Sequence, residues 1–167
     1  MPQVIITLGN DISTDDIYPG RYMATVLPSE TPQFAFAERT EFNAFLKARG
    51  FAAGSIIVGG DNFGCGSSRE QACSALKGDE VTVVAKSIAR IFLQNSINLG
   101  LKVVICPAIE ASEGDVLEFT DDRVVNTTTG KAYAQVQMPA ARKGIMDAGG
   151  LIPYTRTLLK ARAQGAA

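Results

Sequence analysis

Ser55-Ile56-Ile57-Val58-Gly59-Gly60-Asp61-Asn62-Phe63-Gly64-Cys65-Gly66-Ser67-Ser68 runs from a short apolar stretch into a glycine-rich turn. The first five residues are brief and β-branched, which marks a buried strand. A helix is expected next, over about residues 69–77 and stopped by Gly78, with Ser67 or Ser68 as N-cap and Glu70 in its first turn. The pattern then repeats. Val81-Thr82-Val83-Val84-Ala85 reads as a second buried strand, and residues 88–99 as a helix with Ile88, Ile91 and Phe92 on one side and Gly100 at its close. Lys102-Val103-Val104-Ile105-Cys106 reads as a third strand, ended by Pro107. Strand–helix–strand–helix–strand over 55–106 predicts parallel pairing with right-handed crossovers.

Upstream, Val4-Ile5-Ile6-Thr7-Leu8 reads as a strand closed by Gly9-Asn10-Asp11. Residues 12–32 are polar and broken by Pro19, Gly20, Pro28 and Pro32, a long loop of the kind that carries function. Phe42, Phe45 and Leu46 then fall at helical spacing within 40–49, ahead of Gly50. Downstream, 115–119, 123–126 and 131–136 read as short strands with turns at Asp121-Asp122 and Thr129-Gly130. Helices follow over about 140–148 and 152–163, parted by Gly149-Gly150, with a frayed tail at 164–167. The expectation is one α/β domain over 1–167.

With 167 residues, 46% apolar and 20% charged, the chain can bury a core. Its net charge of −1 argues against nucleic-acid or anionic-membrane binding. It contains no histidine, so it cannot by itself build a Ser-His-Asp triad, a Cys-His dyad or a His-ligated metal site. The three cysteines, Cys65, Cys73 and Cys106, form no CxxC and suggest no disulfide framework, and no metal site is expected. Cys73 and Cys106 read as core positions and Cys65 as a small packing residue in the turn. The opening residues lack a basic n-region and a long apolar run, and no stretch approaches the ~20 apolar residues of a spanning helix. The expected setting is the cytoplasm.

The turn carries the chemistry. A strand end, glycines and a helix N-terminus present backbone N–H groups and a helix dipole to an anion. Arg69 adds a fork suited to carboxylate or phosphate, and Ser67 and Ser68 add hydroxyls. A Walker loop would need lysine after Gly66, and a dinucleotide fingerprint would need glycine in place of Arg69. The plainer alternative is a tight strand–helix turn with a serine cap.

Gly60-Asp61-Asn62-Phe63-Gly64-Cys65-Gly66-Ser67-Ser68-Arg69-Glu70 resembles the signature of the small subunits of 3-isopropylmalate dehydratases, the detached swivel domain of the aconitase superfamily. Three other segments agree in order: Gly9-Asn10-Asp11-Ile12-Ser13-Thr14-Asp15-Asp16-Ile17, then Ala85-Lys86-Ser87-Ile88-Ala89-Arg90-Ile91-Phe92, then Gly149-Gly150-Leu151-Ile152. The resemblance implies an aconitase swivel-like fold, with a mixed, mainly parallel sheet flanked by helices in β/β/α layers. It implies a hydro-lyase that isomerises a 2-hydroxy di-acid by dehydration and rehydration. A [4Fe–4S] cluster is then expected on a large partner subunit and no cofactor on this chain.

By the motif match, Ser67 resembles the base that removes the carbon-bound proton, and Ser68 and Arg69 its substrate-binding neighbours. Asp15 matches a loop aspartate with a positioning role, although an Asx-turn holding its own loop is nearly as good a reading. Arg21 would take a common carboxylate, or else sit at the loop base as a surface arginine. Tyr22-Met23-Ala24-Thr25 corresponds to the specificity loop. Its apolar Met23-Ala24 suits an isopropyl or methyl group and would strand a carboxylate. This favours isopropylmalate, citramalate or dimethylmalate over homoaconitate. Where the family often has histidine after Arg-Glu, this chain has Gln71. The competing readings are a non-catalytic anion-binding module and a self-sufficient enzyme with Ser67 or Cys65 as nucleophile. Self-association of an isolated small subunit is a further expectation.

Overall fold

Alternation along the strands builds two cores on opposite faces of one sheet. The computed structural model describes residues 2–165; of the expected frayed tail, Gln164 and Gly165 form a turn, and Ala166 and Ala167 lie outside the described residues. Strands β1 (Val4–Thr7), β2 (Ile56–Gly59), β3 (Thr82–Ala85) and β4 (Val103–Ile105) lie parallel in the order β1-β2-β3-β4. Successive strand side chains point to opposite faces. Ile57, Val83, Ala85 and Val103 therefore face the helices, where they meet Leu46, Ala72, Cys73, Leu76 and Phe92. Ile56, Val58 and Val84 face the other way and meet Leu117 and Val124.

The helical layer holds α2 (Thr40–Ala48), α3 (Glu70–Gly78) and α4 (Arg90–Leu99). The opposite layer is a three-stranded antiparallel sheet of β5 (Leu117–Phe119), β6 (Arg123–Asn126) and β7 (Lys131–Ala134). The β/β/α layering of the expected fold is thus present, with the antiparallel strands in a sheet of their own. One antiparallel bridge between Gln3 and Val116 ties them to β1. The buried Asp115 carboxylate accepts from the Asn126 amide and the Ser112 N–H, both at 2.8 Å, which locks that junction.

Helices α5 (Ala140–Asp147) and α6 (Leu151–Ala163) complete the chain. Gly149-Gly150 separates them for a steric reason. A Cβ on Gly150 would stand 2.6 Å from the Asn98 carbonyl oxygen, and one on Gly100 would stand 2.3 Å from the Gly149 carbonyl carbon.

Several expectations change. The 12–32 loop contains a capped helical turn, α1 (Thr14–Ile17), in which Ser13 and Asp16 bond reciprocally as a capping box. It also contains the 3-10 turns Gly20–Tyr22 and Thr31–Phe34. Helix α2 ends on Arg49 in the left-handed conformation, not on Gly50, because the Arg49 guanidinium is held by the Gly78 carbonyl at 2.9 Å. Helix α4 begins at Arg90 because Ile88 is drawn into a parallel bridge with Phe63, which leaves Ile91 on the exposed side.

Candidate functional site

Three loops leave the carboxyl ends of β1, β2 and β3 side by side, the edge at which parallel sheets bind ligands. They are laced mainly through backbone. Gly60 N–H donates to the Gly9 carbonyl at 3.0 Å, Asp11 N–H to Asp61 at 2.8 Å, Gly64 N–H to Ile12 at 2.7 Å and Thr14 N–H to Cys65 at 2.8 Å. On the other side Phe63 N–H donates to the Ser87 carbonyl, and Ala89 N–H to that of Phe63. Two left-handed residues face each other here: the Asn62 amide donates to the Asp11 carboxylate at 2.8 Å. Gly64 has φ +78°, and a Cβ there would stand 2.2 Å from the Phe92 ring, so only glycine fits.

This weave sets Ser67 and Ser68 at the exposed mouth of α3. The expectation that one of them caps the helix is corrected. The N-cap is Arg69, without a side-chain cap, because Arg69 N–H turns back to the Ser67 carbonyl at 2.9 Å. That carbonyl also accepts the buried Thr14 hydroxyl at 2.9 Å. Among the described residues neither serine hydroxyl has a hydrogen-bond partner, so both are free for a ligand beside an uncapped helix N-terminus.

Arg69 is held from below. Its Nη1 donates to the Asp15 carboxylate and, at 3.1 Å, to the Tyr18 carbonyl. Asp15 Oδ1 also accepts from Gly20 N–H at 2.9 Å. The Arg69 bond first, then the Gly20 bond, holds the Asp15 carboxyl below the usual range. Gly20 permits this approach, since a Cβ there would stand 3.3 Å from Arg69 Nη2. Nη2 and Nε have no partner among the described residues. The guanidinium is thus oriented on one edge and open on the other.

The remaining expected residues divide. Arg21 pairs with Glu38 at 3.0 Å and lies 4.9 Å over the Tyr22 ring, so its partners stand outside the serine–arginine group. Tyr22 stacks on Phe34 with ring centroids 4.3 Å apart. Met23 leans on the helix-side core, Ala24 is exposed and Thr25 is half-buried. Cys65 is half-buried in the turn, and Cys73 and Cys106 are buried as expected. Burial pushes the Cys73 thiol up to about 12 and raises that of Cys106.

Sequence reasoning missed Thr14 and Tyr18. The Ser13-Thr14-Asp15-Asp16 capping-box spacing was a readable sign of helix α1, and hence of Thr14. Tyr18 had no local signal, because its partners are brought by the fold. Among the described residues no three His, Cys, Asp or Glu side chains stand together to hold a metal, so the residues of this chain do not fit an iron–sulfur cluster. Among them, too, no helix is long and apolar enough to cross a membrane.

Layering, carboxyl-edge loops and the serine–arginine mouth define an aconitase swivel-type domain, and the family model for the aconitase C-terminal domain matches residues 32–107. The 3-isopropylmalate dehydratase small subunit of Methanosarcina mazei is 42% identical over 159 residues, 92% of this chain and 95% of that protein. The isopropylmalate/citramalate isomerase small subunit of Methanocaldococcus jannaschii is 42% identical over 154 residues, 89% of each. A crystal structure of 3-isopropylmalate dehydratase from the same organism superposes with a TM-score of 0.84 at 35% identity, covering 96% of this chain and 97% of that one. The chain belongs to the family of 3-isopropylmalate dehydratase small subunits.

Proposed function

We propose that this chain, as one swivel-type domain over 1–167, works with a large subunit to isomerise 2-isopropylmalate and 3-isopropylmalate through their dehydrated di-acid, a step of leucine biosynthesis in the cytoplasm. The observation that carries the reading is the pair of unpartnered serine hydroxyls beside a guanidinium locked by Asp15 and Tyr18. Ser67 is the base for the carbon-bound proton. Its alkoxide would be a poor species in water, and here the uncapped N-terminal amides of α3 and the nearby guanidinium stabilise it. Ser68 and the free edge of Arg69 bind a substrate carboxylate, and Asp15 positions Arg69. Arg21 reaches substrate by exchanging Glu38 for a carboxylate, a cheap exchange for an exposed pair. The iron–sulfur cluster belongs to the large subunit, where it supplies Lewis-acid activation of the hydroxyl.

The name of the Methanocaldococcus jannaschii relative supports citramalate as a second substrate. Small Ala24 fits either a methyl or an isopropyl group, and the absence of a cation in 22–25 disfavours a tricarboxylate.

The test is reconstitution. With a cluster-bearing large subunit, the pair should form the unsaturated di-acid, and Ser67→Ala should lower kcat by about a thousandfold, within the usual span for a general base. Turnover by this chain alone without iron, or full turnover by the Ser67→Ala pair, would overturn the assignment. Preference for homocitrate-type acids would overturn the substrate.

A further inference from the structure

We propose that Tyr18 is a positioning residue for substrate selection, its phenol anchoring the 22–25 loop while its backbone anchors the catalytic arginine. The inference rests on the reading above. Tyr18 is fully buried one residue past α1. Its hydroxyl stands 3.3 Å from the Tyr22 carbonyl and 3.4 Å from that of Thr25. One proton shared between two carbonyls is a three-centre bond, and it closes the loop on itself with Met23 and Ala24 between the anchors. The ring packs edge-on against Phe34 at 6.2 Å, and Phe34 in turn stacks on Tyr22. Burial raises the phenol above its ordinary range, so it remains a donor at any working pH.

The same residue's main chain faces the other side of the site. Its carbonyl accepts from Arg69 Nη1 at 3.1 Å, and its N–H donates to Thr14 at 2.9 Å. Side chain and backbone therefore serve different substrate groups. The phenol holds the loop that meets the variable substituent, and the carbonyl holds the arginine that meets the common carboxylate. Gly20, between them in sequence, touches both Asp15 and Arg69 and fixes their spacing. Removing the hydroxyl should loosen selection and leave the arginine in place.

The experiment uses Tyr18→Phe in the reconstituted two-subunit enzyme. KM for isopropylmalate should rise about tenfold, the scale of one such lost hydrogen bond, with kcat within about twofold of wild type. The preference for the isopropyl over the methyl substrate should narrow. Amide hydrogen exchange of 23–26 in the free subunit should quicken about tenfold while β2 and β3 keep their rates. Unchanged KM and preference, unchanged loop exchange, or an equal fall in kcat for every acid would overturn the proposal. So would a Tyr18→Phe chain without cooperative unfolding, since the hydroxyl would then be a determinant of the fold. A failure of the dehydratase reading itself shows separately, as a wild-type pair without turnover of any hydroxy di-acid, and the exchange measurement is read regardless.

Discussion

The carboxyl-edge loops and the C-terminal helices both depend on glycines at positive φ, yet they differ in what holds them. At the edge, strand-like backbone bonds join three loops, and buried Thr14, Tyr18 and Phe63 fill the space beneath. Helices α5 and α6 bury no residue completely, and Leu151, Ile152, Leu158 and Leu159 are exposed. Their main tether is Lys77, whose ammonium reaches the carbonyls of Leu99 and Gly149. The serine–arginine group thus stands on the stiffer region. A site that stabilises developing charge needs donors that do not reorganise, and a guanidinium fixed from below meets that need.

The same kind of substitution in the two regions tests this contrast most directly. Gly64→Ala should cost about 3–4 kcal/mol by urea unfolding, combining a left-handed alanine with a clash against Phe92. Gly149→Ala has φ +86° but open space around its Cβ, so about 1 kcal/mol is expected. Equal losses would break the comparison.

Thr14→Val comes next. It leaves the Ser67 carbonyl without its side-chain donor and should cost about 1–2 kcal/mol. With the large subunit present, turnover should fall further than stability alone explains.

Asp79, at the end of α3 away from the mouth, sharpens the picture by pH. Burial, only partly offset by Arg49 at 3.6 Å, pushes its carboxyl up to about 6, and its Oδ2 has no partner among the described residues. The unfolded group titrates near about 3.9, so the folded chain binds the proton more tightly and stability falls as pH rises between about 4 and 6. Asp79→Asn should flatten that window and add about 1–2 kcal/mol at pH 7, with no gain near about pH 3.5. Arg49 keeps the Gly78 carbonyl. Thermal unfolding from acid to neutral pH checks it.

The smallest effect belongs to α6. Leu159→Gln on its exposed face should change stability by less than about 0.5 kcal/mol in the free subunit. A large loss would show that α6 is held more firmly than its burial indicates.

The parallel order β2, β3, β4 was legible because each strand is a short β-branched run closed by glycine or proline, and such runs have few other uses. Ser67, Ser68 and Arg69 were legible for the same reason: glycines before a helix leave a narrow range of chemistry. The cap was misplaced because capping propensity is local, whereas Arg69 N–H is claimed by a loop geometry that Thr14 enforces from fifty-three residues away. Arg21 looked like a substrate ligand because a sequence does not show Glu38 folding back onto it. Phe45 and Ile91 fit the helical period yet remain exposed, since periodicity names a face and not what covers it.

By itself the sequence determined the strand–helix alternation, the glycine turn, the residue types at the helix mouth and the exclusion of any histidine-based chemistry within this chain. Those properties are local, set by backbone sterics and side-chain chemistry over a few residues. Only the tertiary structure decided that both serines stay uncapped, that Asp15 and the Tyr18 carbonyl hold one edge of Arg69, and that the Tyr18 phenol closes the selecting loop. Each depends on groups distant in sequence or turned inward by the packing. Which donor finds which acceptor there is settled by how the loops lie against each other at the sheet's edge.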